Sequence, residues 1–152
     1  KGVYLKNGAA IVGEKEGRGP LKDYFDMILQ DDKWGEDSFE KAERKMFKEA
    51  LETAKLKAGL NNDTVDMIIG GDLLNQIISA SFASKDFPMP FLGVYGACST
   101  ICESMLLGAC LIEGGLPIIS FAPPVRIFPA LNGSIGFLWN MEASVRLRLN
   151  GL

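Results

Sequence analysis

The stretch FLGVYGACSTICES, residues 91–104, decides the fold that this sequence predicts. It opens with a short apolar run, residues 91–95, which follows two prolines and predicts a strand. Residues 96–100 are a predicted tight turn into a helix that runs to Ile112, because two glycines follow at 114 and 115. One strand is therefore expected to turn almost directly into a helix.

A long helix is predicted earlier in the chain, ending at Ala58. Asp37 and Glu40 have capping-box spacing, the run contains no glycine or proline, and Gly59 follows as a C-cap. Apolar residues recur every three or four positions along it, which indicates one buried side. The charged residues within 41–57 are predicted to form a solvated helix face.

Strands are also predicted on both sides of this helix. The β-branched run at 65–69 is stopped by two glycines and predicts a buried strand, and a second helix is expected to open at Asp72 and extend towards Ser84. Further strands are predicted at 9–12 and 117–121, with a flexible charged loop at 13–19.

Strands that alternate with helices through short turns favour parallel strands joined by right-handed crossovers. The predicted fold class is α/β, a mostly parallel layered sheet with helices on both faces. The last helix has four apolar residues spaced for a core face, namely Ile101, Met105, Ala109 and Ile112.

Composition narrows the class of protein. The chain has 152 residues, of which 47% are hydrophobic and 23% charged, and this is ordinary for one globular domain. Its net charge of −3 provides no basic field, so nucleic acid is not expected as a partner. The three cysteines lie in one short stretch, which favours a reduced, cytosolic compartment.

Neither a signal peptide nor a membrane-spanning helix is predicted. The most apolar run, residues 101–121, is interrupted by Glu103 and Glu113. Because the sequence starts at Lys1 and not at a methionine, the natural start is expected to lie upstream.

Cys98 is the first candidate for chemistry. At the start of a helix its sulfur would lie near free backbone N–H groups and the positive end of the helix dipole, as a nucleophile for acyl transfer requires. The alternative is a small residue packed in a turn. The chain has no histidine to act as a base, and three cysteines without histidine predict no metal site.

The second candidate is the turn GDLLNQ, residues 71–76. Ligands of α/β sheets bind at the carboxyl ends of strands, so Asp72 and Asn75 are candidate ligand-binding residues. The alternative is a capped turn in which Asp72 accepts backbone N–H bonds.

Five motifs are distinctive: GDLLNQ at 71–76, FLGVYGACSTxCES at 91–104, GxxxxGxKEGxGPL at 8–21, a variant of DxSFEKAERKM around 38–46, and GACLIEGG at 108–115. Together these motifs resemble the stage V sporulation protein AD family of endospore-forming bacteria. They occur in order between Gly8 and Ala122. That family resembles thiolases and ketoacyl synthases in fold, so residues 1–122 are expected to be a thiolase-like N-terminal half.

The resemblance implies a function in spore formation. Family members are expected to bind dipicolinic acid, with or without calcium, and to support its uptake into the developing spore with membrane proteins of the same operon. The implied contacts are Asp72, Asn75, Cys98, Ser99 and Thr100, although Asp72 is an awkward neighbour for an anion unless calcium accompanies it. No cofactor is expected.

The resemblance also implies an assembly and a location. The full-length protein is expected to contain a second thiolase-like half, to form a homodimer, and to be cytosolic or peripheral at the spore inner membrane. The rival function is a thiolase-like or ketoacyl-synthase-like acyl transferase with Cys98 as nucleophile, its base supplied by the second half.

Residues 123–152 are an anomalous tail, in which the resemblance stops. Lysine is absent after Lys85, and the codons for FLWNMEASVRLRLNGL, residues 137–152, can be chosen so that one nucleotide earlier they spell the family-like FPLEYGGVRPPTAQWT. The hypothesis is a frameshifted translation that is poorly packed or disordered.

Overall fold

Six strands run side by side in one sheet. The computed structural model describes residues 3–73, 76–115, 118–122 and 142–149. The strands are β1 (Val3–Val12), β2 (Met27–Ile28), β3 (Met67–Gly70), β4 (Phe91–Gly93), β5 (Ile118–Ala122) and β6 (Glu142–Leu149). The helices are α1 (Glu14–Gly17), α2 (Phe39–Ala58), α3 (Ile78–Ser84) and α4 (Thr100–Glu113).

The strand order is β2-β1-β6-β5-β3-β4. β1 pairs with β2, and β3 pairs with both β4 and β5, in parallel. β6 is antiparallel to its neighbours β1 and β5. The predicted α/β class and mostly parallel sheet are confirmed.

Neighbouring residues of β3 show that helices cover both faces of the sheet. Ile68 packs in a cluster with Phe47 of α2 and Ala80 of α3, whereas Ile69 packs with Ile112 of α4. Successive side chains of a strand point to opposite faces. α2 and α3 therefore lie on one face and α4 on the other, as predicted.

The ends of α2 are set by local chemistry. Its N-cap is Ser38, whose hydroxyl accepts the backbone N–H of Lys41 at 3.3 Å, so the predicted cap at Asp37 is wrong by one residue. Asp37 instead forms an ion pair with the Lys41 ammonium at 2.8 Å. Gly59 ends the helix as predicted, because its φ of 66° is left-handed.

The first part of the chain is more regular than predicted. β1 begins at Val3, well before the predicted strand at 9–12. Residues 14–17 form α1 and not a flexible loop. An ion pair between Glu14 and Arg18, four residues apart, favours this single helical turn.

The face that α4 buries matches the prediction at Ile112, which is fully buried, but differs from it at Met105. Met105 was expected in the core but is 37% exposed. The buried stripe consists of Thr100, Ser104, Gly108 and Ile112. Small residues in this stripe allow α4 to lie close over β3 and β5. The side of the helix that faces the sheet is therefore the one with small side chains, and not the one with the largest apolar side chains.

The tail contributes a strand to the sheet. Residues 142–149 form β6 between β1 and β5, which is regular structure where disorder was expected. Their sequence alternates Val145-Arg146-Leu147-Arg148-Leu149, which is a strand pattern. The frameshift and the boundary at residue 122 stay predictions.

Candidate functional site

Two turns meet at the carboxyl ends of β3 and β4. These strands are parallel neighbours, with Gly70 opposite Gly93, so the residues that follow them emerge side by side. A Cβ built on Gly71 would overlap the Val94 carbonyl oxygen and lie 3.1 Å from the Thr100 methyl carbon. Only glycine allows this contact. The structure thus brings together the two segments that contain the predicted site residues.

Asp72 shapes the turn after β3 from the inside. Its side chain is buried, and its two oxygens accept the backbone N–H groups of Ile77 at 2.8 Å and Ala80 at 3.0 Å. These bonds match the capped-turn alternative. They also hold residues 76 and 77 outside the helix, so α3 begins at Ile78 and not at Asp72 as predicted.

The same turn contains two residues in a conformation that side chains rarely adopt. Gln76 has a φ of 47° and Ile77 a φ of 75°. Left-handed geometry is unfavourable for these residues, especially for β-branched Ile77, and persists where the surroundings determine it. Asn75, the other candidate in this turn, lies outside the described residues.

Sequence reasoning missed a residue of α2 that contacts this turn, Glu43. This glutamate is 1% exposed, and its Oε1 accepts the backbone N–H of Leu73 at 3.1 Å. The prediction of a solvated charged face is wrong here. Its position beside Ala42 and one turn before Met46 and Phe47 places it within the buried stripe, which is the signal that could have identified it.

The turn after β4 leads into α4 through a short 3-10 turn, Ala97–Ser99. Cys98 lies in this turn, two residues before α4, so the predicted strand-to-helix corner is present. The side chain of Cys98 is exposed. Ala97, immediately before it, has a left-handed φ of 50°. No disulfide joins the three cysteines.

Thr100 and Ser99 fix this corner in different ways. Thr100 is fully buried, and its hydroxyl oxygen accepts the backbone N–H of Gly96 at 3.1 Å. The Ser99 hydroxyl is exposed and lies 2.8 Å from the Gly96 carbonyl oxygen and 2.5 Å from a carboxylate oxygen of Glu103. Glu103 is a further residue of the corner that sequence reasoning did not select.

The candidate residues therefore divide by exposure. Cys98 and Ser99 present polar atoms to solvent, whereas Asp72 and Thr100 are buried and bond to the backbone. Within the described ranges, no three histidine, cysteine, aspartate or glutamate side chains cluster as a metal site would require.

An open groove of about 450 Å³ lies elsewhere, along the exposed side of α2. It is lined only by charged residues: Glu36, Lys41, Arg44, Lys45, Lys48 and Glu49. Several of these side chains form ion pairs, including Lys45 with Glu36 at 3.4 Å. None of the predicted site residues lines this groove.

Comparison with known proteins identifies the relatives. The family model described as Stage V sporulation protein AD (SpoVAD) matches residues 1–122. The chain is 34% identical over 113 residues to stage V sporulation protein AD of Bacillus subtilis (strain 168), a match that covers 74% of this chain and 33% of that protein. The chain thus spans about a third of the length of this curated relative.

Solved structures of similar fold belong to thiolase-like enzymes. The chain superposes on ChlB3, described as an acyltransferase, with a TM-score of 0.67 at 10% identity, over 99% of this chain and 51% of that one. The TM-score is 0.60 at 14% identity with 3-oxoacyl-[acyl-carrier-protein] synthase III from Aquifex aeolicus VF5, over 98% and 54% of the two chains. These likenesses show the fold alone, and they confirm the predicted thiolase-like fold.

Proposed function

This chain belongs to the stage V sporulation protein AD family, and on that premise we propose that the full-length protein binds dipicolinic acid and supports its uptake into the developing spore. The family match over residues 1–122 carries the proposal. The contact between the turns after β3 and β4 supports it, because parallel α/β sheets bind small ligands where such turns meet.

The charge of the site suits a dicarboxylate better than the sequence suggested. Asp72 was an objection to an anionic ligand, but it is turned inward and both oxygens already accept backbone N–H groups. The exposed Ser99 hydroxyl and Cys98 thiol are groups that can face the ligand. Glu103 places one carboxylate at the corner, so we expect calcium to accompany dipicolinate and offset the repulsion.

The assembly is part of the proposal. The face of α4 that points away from the sheet is apolar and exposed, with Leu106 67% and Leu107 38% exposed, and Tyr95 after β4 is 45% exposed. Large exposed apolar side chains, where they cluster, are often covered by another part of a protein or by a partner. We propose that a second thiolase-like half and the partner subunit of a homodimer cover these side chains, and that the membrane proteins of the same operon bind to another surface.

The location follows from the family and stays a proposal. Among the described residues, no helix is both long and apolar enough to cross a bilayer. This finding is compatible with a cytosolic protein or with one held at the spore inner membrane by its membrane partners.

Calorimetric titration tests the binding. Dipicolinate is titrated into a full-length family protein with these residues, with and without calcium, and isophthalate is the control because it keeps both carboxylates but lacks the ring nitrogen. Saturable binding of dipicolinate at submillimolar concentration, weaker without calcium and weaker for isophthalate, is expected. No heat at millimolar dipicolinate in either buffer contradicts the proposal.

A matched pair of variants locates the binding. Ser99→Ala removes a hydroxyl at the corner, whereas Thr53→Ala removes one from α2, outside both turns. The first is expected to weaken binding by roughly fivefold, the loss of about one hydrogen bond, and the second by less than about twofold. Equal effects contradict this placement.

Acyl transfer is the second candidate, because Cys98 occupies an exposed corner before α4 with a left-handed residue beside it. Cys102 and Cys110 are exposed too, so they are internal controls. Iodoacetamide labelling at pH 7, followed by peptide mapping, compares the three rates. Labelling of Cys98 at least about tenfold faster supports a nucleophile, and similar rates argue against one.

A further inference from the structure

A buried glutamate of α2 is hydrogen-bonded to the turn after β3, thirty residues further along the chain. Glu43 is 1% exposed, and it accepts the N–H of Leu73 at 3.1 Å. Leu73 is the residue directly after Asp72, whose own oxygens accept the N–H groups of Ile77 and Ala80. Two buried carboxylates, one from α2 and one from the turn itself, therefore accept hydrogen bonds from two N–H groups of the turn and from one in the first turn of α3.

This arrangement costs more than ordinary core packing. A carboxylate taken out of water is unfavourable unless hydrogen bonds compensate it, and an apolar side chain in the same stripe would incur no such cost. The turn that these carboxylates hold also contains the left-handed residues Gln76 and Ile77. Buried carboxylates that are unfavourable to desolvate and that maintain a strained turn indicate that the position of the turn is important for function.

The position in question is that of the turn relative to the Cys98 corner. Gly71 lies against the Val94 carbonyl oxygen and the Thr100 side chain, so a small shift of residues 71–73 moves one wall of the proposed site against the other. α2 is the long helix on that face of the sheet, and Glu43 is its hydrogen-bonded connection to Leu73.

We propose that Glu43 is a positioning residue for the ligand-binding turn: it anchors Leu73 to α2 and thereby sets the position of the turn after β3 against the turn that contains Cys98. The inference rests on the proposed function, because it assigns the site at these two turns to dipicolinate. Glu43 does not touch the ligand in this account. Its effect on binding is exerted through the backbone at Leu73.

Three variants separate positioning from general stability. Glu43→Gln keeps an acceptor oxygen for Leu73 and removes the charge, whereas Glu43→Leu removes the acceptor. Met46→Ala is the matched control, because Met46 is buried one turn along α2 but packs in the cluster of Ile11 and Leu29, away from the turn. The measurements are dipicolinate affinity of the full-length protein, amide hydrogen exchange of Leu73, and thermal stability.

We expect Glu43→Leu to accelerate exchange of the Leu73 amide about tenfold or more and to weaken dipicolinate binding by about tenfold, as loss of a hydrogen bond to a carboxylate predicts. Glu43→Gln should stay within about threefold of the parent in both measurements. Met46→Ala should lose comparable stability and keep its affinity within about twofold.

Two results overturn the inference: Glu43→Leu binding dipicolinate as the parent does, or Met46→Ala losing as much affinity as Glu43→Leu. If the parent protein does not bind dipicolinate at all, the proposed function fails. The anchoring is then decided by exchange alone, and unchanged exchange at Leu73 in Glu43→Leu rejects it.

Discussion

The carboxylate of Asp72 accepts the backbone N–H of Ala80, eight positions further along the chain, at 3.0 Å. Its other oxygen accepts the N–H of Ile77 at 2.8 Å. The side chain at the carboxyl end of β3 therefore acts as the internal cap of α3. This relationship changes Asp72 from a residue expected to face the ligand into one that determines the shape of the turn.

Replacing Asp72 tests that role. Asp72→Ala leaves two N–H groups without their acceptor, and we expect a loss of about 2–4 kcal/mol in the free energy of unfolding, with about half that loss for Asp72→Asn. Urea unfolding measures it. Asp66→Ala, an exposed aspartate before β3, is the control and should change stability by less than about 0.5 kcal/mol. Equal losses in the two alanine variants contradict the assignment.

Gly71→Ala tests the contact between the two turns. The new methyl group would overlap the Val94 carbonyl oxygen, so the turns must separate, at an expected cost of about 2–3 kcal/mol. Gly114→Ala is the matched control, since its methyl group would meet the nearest atom, the Cys110 carbonyl oxygen, at 3.3 Å. Thermal unfolding should show a much larger fall for Gly71→Ala, and comparable falls would count against the contact.

Thr100 and Ser104 lie one turn apart on α4, and both are fully buried. The Thr100 hydroxyl oxygen accepts the Gly96 N–H, whereas the Ser104 hydroxyl has no hydrogen-bond partner among the described residues. Thr100→Val should therefore destabilise the chain by about 1–2 kcal/mol, and Ser104→Ala should be neutral or stabilising by up to about 0.5 kcal/mol. Chemical denaturation distinguishes them, and the reverse order would refute this view of α4.

Asp86, after α3, connects that helix to α2. Its carboxylate lies 2.6 Å from the Lys48 ammonium and 3.3 Å from the Arg44 guanidinium, and these hydrogen bonds, Lys48 first, hold the pKa of Asp86 below its ordinary value of 3.8. Because the pKa of Asp86 is lower in the folded state than in the unfolded state, its ionisation stabilises the folded protein at pH values above the unfolded-state pKa. That contribution disappears as the pH falls through the folded-state pKa.

The pH dependence of Asp86→Asn follows from this sign. The variant should melt roughly 1–2 °C below the parent at pH 7, because exposed ion pairs contribute little, and the difference should vanish near pH 2. Asp66→Asn, at an exposed aspartate, should show a smaller difference throughout. A gap between parent and Asp86→Asn that is constant from pH 7 to pH 2 would exclude the ion pairs as its origin.

The sequence predicted the elements better than their boundaries. α2 ends at Ala58 as expected, since Gly59 supplies a left-handed φ that few other residues adopt. The start of α3 at Ile78 depends instead on Asp72 reaching two amides far along the chain. Local patterns contain no information on where such a long-range cap directs its bonds.

The orientation of α4 was missed for a different reason. Hydrophobic periodicity selected Ile101 and Met105, but the structure buries Ser104 and Gly108, because small side chains let the helix approach the sheet. Glu43 was missed because its charge predicts an exposed side chain, although its position lies within the apolar stripe that α2 buries. Both cases show tertiary contacts overriding the average preference of a residue type.

A crystal structure of a full-length family protein with dipicolinate and calcium would show where the ligand binds. We predict density for the ligand where the turn after β3 meets the turn that contains Cys98, within hydrogen-bond distance of the Ser99 hydroxyl, with Asp72 still bonded to Ile77 and Ala80. Ligand density at full occupancy elsewhere in the protein, with none at these two turns, would be the opposite result and would remove the proposed placement.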